Sequence, residues 1–98
     1  VRAKKNSMDS NIESLYHMFD HRVEAIEFLV NEPSEVTDVP LMKLKLKRQL
    51  LICCIYRHSK VLIPSGQDMI RVGDRVIIVT THTGFNDILD IMEDKVRK

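Results

Sequence analysis

Aromatic side chains are scarce in this 98-residue chain, which has no tryptophan, two tyrosines and three phenylalanines. Its 15 basic and 14 acidic side chains nearly cancel, so the net charge is +1. A platform for single-stranded nucleic acid stacks bases on aromatic rings inside a basic groove, and the composition offers neither feature. The local basic cluster at residues 43–48 is interpreted as a solvated face rather than a phosphate patch. We therefore expect no nucleic-acid partner.

Cysteine is equally scarce, because Cys53 and Cys54 are the only two and they are adjacent. Neighbouring side chains on a strand point to opposite faces, so we interpret both as small buried residues rather than as a disulfide. The lack of a disulfide framework fits a reducing cytosol. The longest apolar run, residues 50–56, is too short to span a bilayer, and no signal peptide is recognised. We expect a cytoplasmic protein without direct membrane insertion.

Glycine is too rare for a glycine-rich phosphate cradle, with three in the whole chain. The patterns G-x-G-x-x-G and G-x-x-x-x-G-K-[ST] are both missing, and no serine or cysteine has the local signature of a catalytic nucleophile. His17 and His21 stand four residues apart, a spacing that can bind a metal from one helix face, but no further ligand is close in sequence. We interpret them as surface or interface histidines and predict neither an enzyme nor a metal site.

Residues 10–19 carry a helical pattern. Ser10 and Glu13 have the spacing of a capping box, and an apolar stripe follows at i, i+3, i+4 and i+7: Ile12, Leu15, Tyr16 and Phe19. These residues predict a helix. We assign it to an N-terminal linker over residues 1–21, which leads into a regulatory domain over residues 22–98.

From residue 22 the period changes to two, which predicts a strand with Glu24, Ile26, Phe28 and Val30 on one face. Asp38 and Pro40 predict the start of a short helix whose leucines face the core. The apolar run over residues 50–57 predicts a central strand buried on both faces, followed by a tight turn and a return strand over residues 61–63.

The stretch KVLIPSGQDMIRVGDRVIIV, residues 60–79, holds two glycines between apolar runs. Pro64 ends one strand because it cannot donate to the ladder, and Gly73 with Asp74 starts the next, over residues 75–81. Residues 65–70 are expected to form a surface loop rather than a ligand cradle.

A last helix is predicted after Thr83, with an apolar face formed by Phe85, Ile88, Leu89, Met92 and Val96. The predicted order is helix, strand, helix, strand, strand, strand, helix. This order predicts an α+β fold with a small, mainly antiparallel sheet. The strand over residues 50–57 offers apolar side chains to both faces, and the chain has few helices to cover them. We therefore expect a dimer.

Residues 36–80 resemble the C-terminal subdomain of the cytosolic regulators of potassium conductance (the TrkA C-terminal, or RCK C-terminal, domain) of Trk and Ktr potassium-uptake regulators. The matching pattern is a short helix with spaced leucines, an apolar strand ending in Ile55-Tyr56-Arg57, then VLIP at residues 61–64 and GDRVIIV at residues 73–79. The preceding AIEFLV, residues 25–30, is similar to the family's first strand.

The resemblance implies a non-enzymatic, dimeric domain that senses a ligand and acts on a membrane potassium-transport subunit at the inner face of the cell membrane. It also implies that NAD or ATP binds only in a separate Rossmann-type domain. Some relatives bind cyclic di-adenosine monophosphate (cyclic di-AMP) between paired domains. Carried over residue by residue, the ligand-binding candidates are Ile55, Arg57, His58, Ile63 and Pro64.

Two other functions fit the same pattern. One is a cytosolic sensor attached to a different cation or anion transporter or antiporter. The other is a structural dimerisation module without a ligand.

Overall fold

The computed structural model describes residues 11–93, and one antiparallel sheet of five strands organises them. The strand order is β1-β2-β5-β3-β4. The strands are β1 (Ile12–Met18), β2 (Val23–Leu29), β3 (Leu50–Arg57), β4 (Lys60–Leu62) and β5 (Arg75–Thr80). The described part of the chain contains no α-helix, and its helical elements are two single 3₁₀ turns, Leu41–Lys43 and Ile88–Ile91. The predicted small antiparallel sheet is therefore confirmed, whereas the predicted α+β class and helix–strand order are not.

The predicted first helix is wrong, because residues 12–18 form strand β1 at an edge of the sheet. A β-bulge between Ile12 and Ser14 explains the misleading pattern. Ile12 pairs with Phe28 and Leu15 pairs with Ile26, so both face the core although they are three residues apart. One extra residue in a strand thus produces the i, i+3 spacing that is typical of a helix.

A second bulge lies in β3, between Ile52 and Cys54. It brings Ile52 and Ile55, again three residues apart, to the buried face, where they are 8% and 0% exposed. Cys53 is the extra residue of this bulge, so strict alternation does not hold for the two thiols. Both cysteines are free and half-buried rather than fully buried as predicted. Burial, followed by the proximity of Cys54, raises the pKa of the Cys53 thiol.

The core lies on one face of the sheet. Strands β2 and β5 contribute alternate residues that are fully buried: Ile26, Phe28, Val76 and Ile78. The connections β2–β3 and β4–β5 cover this face with Val36 and Ile70, and the segment that follows β5 adds Phe85, Ile88 and Ile91. The leucines of the predicted short helix also pack on this core, as expected, although only one 3₁₀ turn forms there. Asp38 does not cap that turn, since Pro40 stands at its N-terminus without a side-chain cap.

The predicted last helix is also wrong within the described residues, where only Ile88–Ile91 forms a 3₁₀ turn. Met92 then adopts an extended conformation and forms an antiparallel bridge with Leu46. The Lys47 ammonium donates to the carbonyl oxygens of Asp90 (2.6 Å) and Met92 (2.8 Å) and lies over the Phe85 ring. Pairing with residues 45–47 thus replaces further helical turns; Val96 and the other C-terminal residues of the prediction lie outside the described residues.

The opposite face of the sheet is not covered by any described segment, and we call it the open face. Its residues are Ser14, Tyr16, Met18, Val23, Ala25, Glu27, Leu29, Leu51, Cys54, Tyr56, Val61, Arg75, Ile77 and Val79. Leu51 and Tyr56 are 62% and 43% exposed on it. The prediction that β3 is central and buried on both faces is therefore wrong for the single chain, in which β5 is the central strand. No helix among the described residues has the length and hydropathy to cross a membrane.

The β3–β4 hairpin turns through His58 and Ser59, which both have positive φ (51° and 64°). Two-residue hairpin turns with this geometry favour asparagine and glycine, because other side chains are strained there. We expect Ser59→Gly to raise the free energy of unfolding by about 0.5–1 kcal/mol. Thermal and urea unfolding at one fixed protein concentration measure the change. The matched control is Ser65→Gly. Because the φ angle of Ser65 is not positive, this substitution should not stabilise the protein.

Candidate ligand-binding site on the β3–β4 hairpin

The five predicted ligand-binding residues all belong to the β3–β4 hairpin or follow it directly, but they differ in accessibility. Ile55 is fully buried in the core and pairs with Leu62 of β4. His58 is exposed in the turn, Ile63 is 74% exposed just after β4, and Pro64 is half-buried. Ile55 therefore anchors the hairpin to the core, and the other four residues form the surface that a ligand can reach.

Arg57, the last residue of β3, forms a bidentate ion pair with Asp74. Its Nε donates to Asp74 Oδ1 at 2.8 Å, and its Nη2 donates to Asp74 Oδ2 at 2.8 Å. Nη2 also donates to the Met69 carbonyl oxygen at 2.7 Å. Hydrogen bonding to Asp74 raises the pKa of the Arg57 guanidinium above its ordinary value. The side chain keeps 27% of its surface exposed, with Nη1 outside these bonds.

Asp74 is the residue at this site that sequence reasoning did not identify as functional. Its side chain is 1% exposed, and Oδ2 also accepts the backbone N–H of Arg71 at 2.9 Å. Gly73, at φ 98°, completes the turn and donates its N–H to the Val30 carbonyl. The signal in the sequence was the Gly-Asp pair before a strand, which predicts the turn but not its ion pair with Arg57.

The loop between β4 and β5 is more buried than predicted. Ile70 is fully buried and forms a parallel bridge with Thr37, and Met69 forms an antiparallel bridge with Pro40. Within residues 65–70, the exposed part is Ser65, Gly66 and Gln67, and there the Gly66 carbonyl accepts the Met42 N–H. Arg57 thus holds a loop that is itself packed against the core.

His17 and His21 do not form the metal-binding pair that their spacing allowed. His17 lies on β1 and His21 in the following turn, with their rings in an edge-to-face contact at 4.5 Å. His17 Nδ1 is 3.7 Å from Glu24 Oε2, a carboxylate that is almost fully buried. Within residues 11–93, no three His, Cys, Asp or Glu side chains are grouped to hold a metal ion.

An open groove of about 590 Å³ lies on the sheet away from the hairpin turn, between Val23, Leu51 and Val79. None of the five predicted residues lines it. Both of its threonines donate to Gln49: Thr81 Oγ1 to Gln49 Oε1 at 2.7 Å and Thr80 Oγ1 to the Gln49 carbonyl oxygen at 2.9 Å. The hairpin therefore remains the candidate site.

We expect Arg57→Ala to lower the free energy of unfolding by about 3 kcal/mol, because it leaves the Asp74 carboxylate buried without its partner. Arg71→Ala is the matched control: it removes an exposed arginine from the same loop but keeps the backbone N–H that binds Asp74. The control should change stability by no more than about 0.5 kcal/mol. Urea unfolding of the three proteins at one concentration makes the comparison, and equal effects of the two substitutions would contradict the clamp.

Comparison with known proteins places most of the chain in one family. The model of the TrkA-C domain matches residues 25–93. The chain is 34% identical over 74 residues to Trk system potassium uptake protein TrkA homolog 2 of Methanosarcina mazei, covering 76% of this chain and 16% of that protein. It is 37% identical over 73 residues to the Trk system potassium uptake protein TrkA homolog of Pyrococcus abyssi, covering 74% of this chain and 32% of that protein.

The chain therefore corresponds to a minor part of the length of these relatives. The matched span contains most of β2, strands β3 to β5 and both 3₁₀ turns, and it includes the hairpin residues and the ion pair of Arg57 with Asp74. This chain belongs to the TrkA-C domain family.

Proposed function

We propose that this chain is a non-enzymatic regulatory domain of a potassium-transport system and acts at the cytoplasmic face of the cell membrane. The observation that carries the proposal is the TrkA-C domain match over residues 25–93. The names of the relatives, which belong to Trk potassium uptake systems, support the same process for this chain. Its partner would be a membrane potassium-transport subunit, contacted through the full-length protein, and NAD or ATP would bind in a separate Rossmann-type domain.

The chemistry of the described side chains supports a regulatory rather than a catalytic role. Burial raises the pKa of Cys53, which disfavours the thiolate that a nucleophile requires. Arg57 and Asp74, the most closely coupled charges, are engaged with each other and hold the loop in place. A bidentate Arg–carboxylate pair of this kind fixes the geometry of the segments that it joins, which is a structural role.

We further propose that two copies of the domain pair and that cyclic di-AMP binds between their β3–β4 hairpins. Arg57 and Lys60 are paired across the hairpin, with His58 exposed between them. These side chains supply donors for phosphate oxygens. Ile63 and Pro64 add an apolar surface next to the donors, suited to the flat face of an adenine ring. The hairpin thus combines the two kinds of contact that a cyclic dinucleotide needs.

Isothermal titration of the purified chain with cyclic di-AMP tests the ligand. We expect saturable binding with one ligand per two chains. Lys60→Ala should weaken binding about tenfold, because it removes one charge-assisted contact. Lys45→Ala is the matched control, since Lys45 is also exposed but lies on the connection before β3. It should bind like the unmodified chain.

Adenosine monophosphate at the same concentration serves as a control ligand and should bind far more weakly, because it cannot bridge two hairpins. Absence of heat at high micromolar cyclic di-AMP would contradict the ligand and would favour a structural dimerisation module. Equal weakening by Lys60→Ala and Lys45→Ala would contradict the hairpin as its site.

A further inference from the structure

The thiols of Cys53 and Cys54 lie side by side on one face of the sheet. The bulge in β3 places Cys54 opposite Ile77 and leaves Cys53 as the extra residue, so both cysteines oppose one residue of β5. Ile52 and Ile55, on either side of the pair, are buried in the core, whereas both cysteines are half-buried. Both thiols therefore point away from the core, towards the open face. In a regular strand, adjacent side chains would point to opposite faces.

The two thiols are close enough to influence each other electrostatically. Burial, followed by the proximity of Cys54, raises the pKa of the Cys53 thiol. A thiol with a raised pKa stays protonated at neutral pH and is a poor nucleophile. A ligand for this pair must therefore displace protons, which a soft metal ion does when it binds thiolates.

A direct disulfide between the two cysteines is geometrically unfavourable. Consecutive Cα atoms are about 3.8 Å apart across a trans peptide bond, whereas the Cα atoms of a disulfide are usually about 4.4–6.8 Å apart. A metal ion between the two sulfur atoms lengthens the bridge and relieves this restriction. The geometry therefore favours a bridging ion over a disulfide.

The number of available ligands indicates the class of ion. Zinc sites use three or four protein ligands, and calcium and magnesium prefer oxygen. Within residues 11–93, no three His, Cys, Asp or Glu side chains are grouped to hold a metal ion. Copper(I) prefers soft sulfur ligands and forms stable complexes with only two thiolates. We propose that Cys53 and Cys54 form a two-thiolate binding site for copper(I) on the open face.

Binding at this site exchanges protons for the metal ion and involves no redox step. Each thiol loses its proton and forms one Cu–S bond, which gives a complex of charge −1 and two free protons. Copper stays in the Cu(I) state and the sulfur atoms stay thiolates. The apparent affinity therefore rises about 100-fold for each pH unit below the pKa values of the thiols, because two protons leave.

The copper(I) site is separate from the proposed cyclic di-AMP site. Arg57 and Lys60 are paired across the hairpin, one residue along from the open-face residues Tyr56 and Val61, so they lie on the opposite face of the sheet. A ligand at the hairpin therefore does not contact the two thiols. Each of the two proposals can fail without the other.

Titration of the reduced, purified chain with copper(I) under anaerobic conditions, against a chromophoric copper(I) chelator, tests the proposal. Low micromolar protein is used because a second copy on the open face would shield the thiols. We expect one ion per chain and two protons released per ion. Cys53→Ser and Cys54→Ser should each weaken binding at least about 100-fold, because a single thiolate loses the advantage of linked ligands. Met42→Leu is the matched control, since it removes an exposed sulfur elsewhere, and it should bind like the unmodified chain.

Thermal unfolding separates a folded site from the general affinity of two neighbouring cysteines for copper(I). An ion that binds the folded chain more tightly than the unfolded chain stabilises the protein, whereas equal binding to both leaves the midpoint unchanged. We expect copper(I) to raise the midpoint by at least about 4 °C. Neither serine variant should show this increase.

Three results would overturn the inference. The first is a serine variant that binds copper(I) as tightly as the unmodified chain. The second is an unchanged unfolding midpoint, which would leave only the general affinity of adjacent thiols. The third is zinc(II) binding as tight as that of copper(I), which would contradict a two-ligand soft site. None of these results changes the titration with cyclic di-AMP, so the proposed function is tested separately.

Discussion

The described part of this chain has apolar residues for two faces of a sheet but enough connecting segments to cover only one. The two long connections, residues 30–49 and 63–74, and the segment after β5, residues 81–93, send side chains to the same face, where they bury the alternate residues of β2 and β5. A sheet of five strands needs a packed layer to be stable, and these connections form that layer without an α-helix. The other face keeps its valines, isoleucines and leucines at the surface. The fold, the position of the hairpin and the proposed pairing all depend on this one-sided burial.

The ion pair between Arg57 and Asp74 connects this architecture to the candidate site. Arg57 is the last residue of β3, next to the hairpin turn, and the family resemblance predicted that it contacts a ligand directly. Instead, two of its nitrogens bind the buried Asp74 carboxylate and the Met69 carbonyl. Arg57 therefore holds the β4–β5 loop and presents the remainder of its guanidinium beside Lys60. Arg57 would contribute to ligand binding mainly by positioning the hairpin. The more exposed His58, Lys60 and Ile63 form the accessible surface.

The sequence predicted an element correctly where the alternation of apolar and polar residues is regular. Strand β2 alternates without interruption, so its core face was identified correctly, including Ile26 and Phe28. Strands β1 and β3 each contain a bulge, and in β1 the bulge imitates a helical spacing that alternation rules cannot distinguish from a true helix. The end of the chain was predicted as a helix because Phe85, Ile88 and Met92 are spaced like one. A long-range bridge from Met92 to Leu46, which periodicity does not report, ends the turn.

The candidate site was predictable only as a resemblance. The residues from Ile55 to Pro64 follow the family pattern, but their accessibility depends on which of them face the core. The burial of Asp74 left no distinctive signal in the sequence, because its partner Arg57 lies 17 residues away. The alternation of β2 did place Glu24 on the core face, but it could not show the contact with His17 on the neighbouring strand. The two-sided apolar pattern of residues 50–57 also predicts a dimer, and the dimer stays a prediction.

The proposed dimer would cover the open face in solution with a second copy. Methyl NMR of the purified chain with a soluble paramagnetic agent tests this claim most directly, by comparing Leu51 and Val79 with Met42 at low and high protein concentration. If a second copy covers the open face, signals of Leu51 and Val79 lose their enhanced relaxation as the protein concentration rises, while the enhanced relaxation of Met42 does not change. Enhanced relaxation of Leu51 and Met42 that stays equal at every concentration would contradict it.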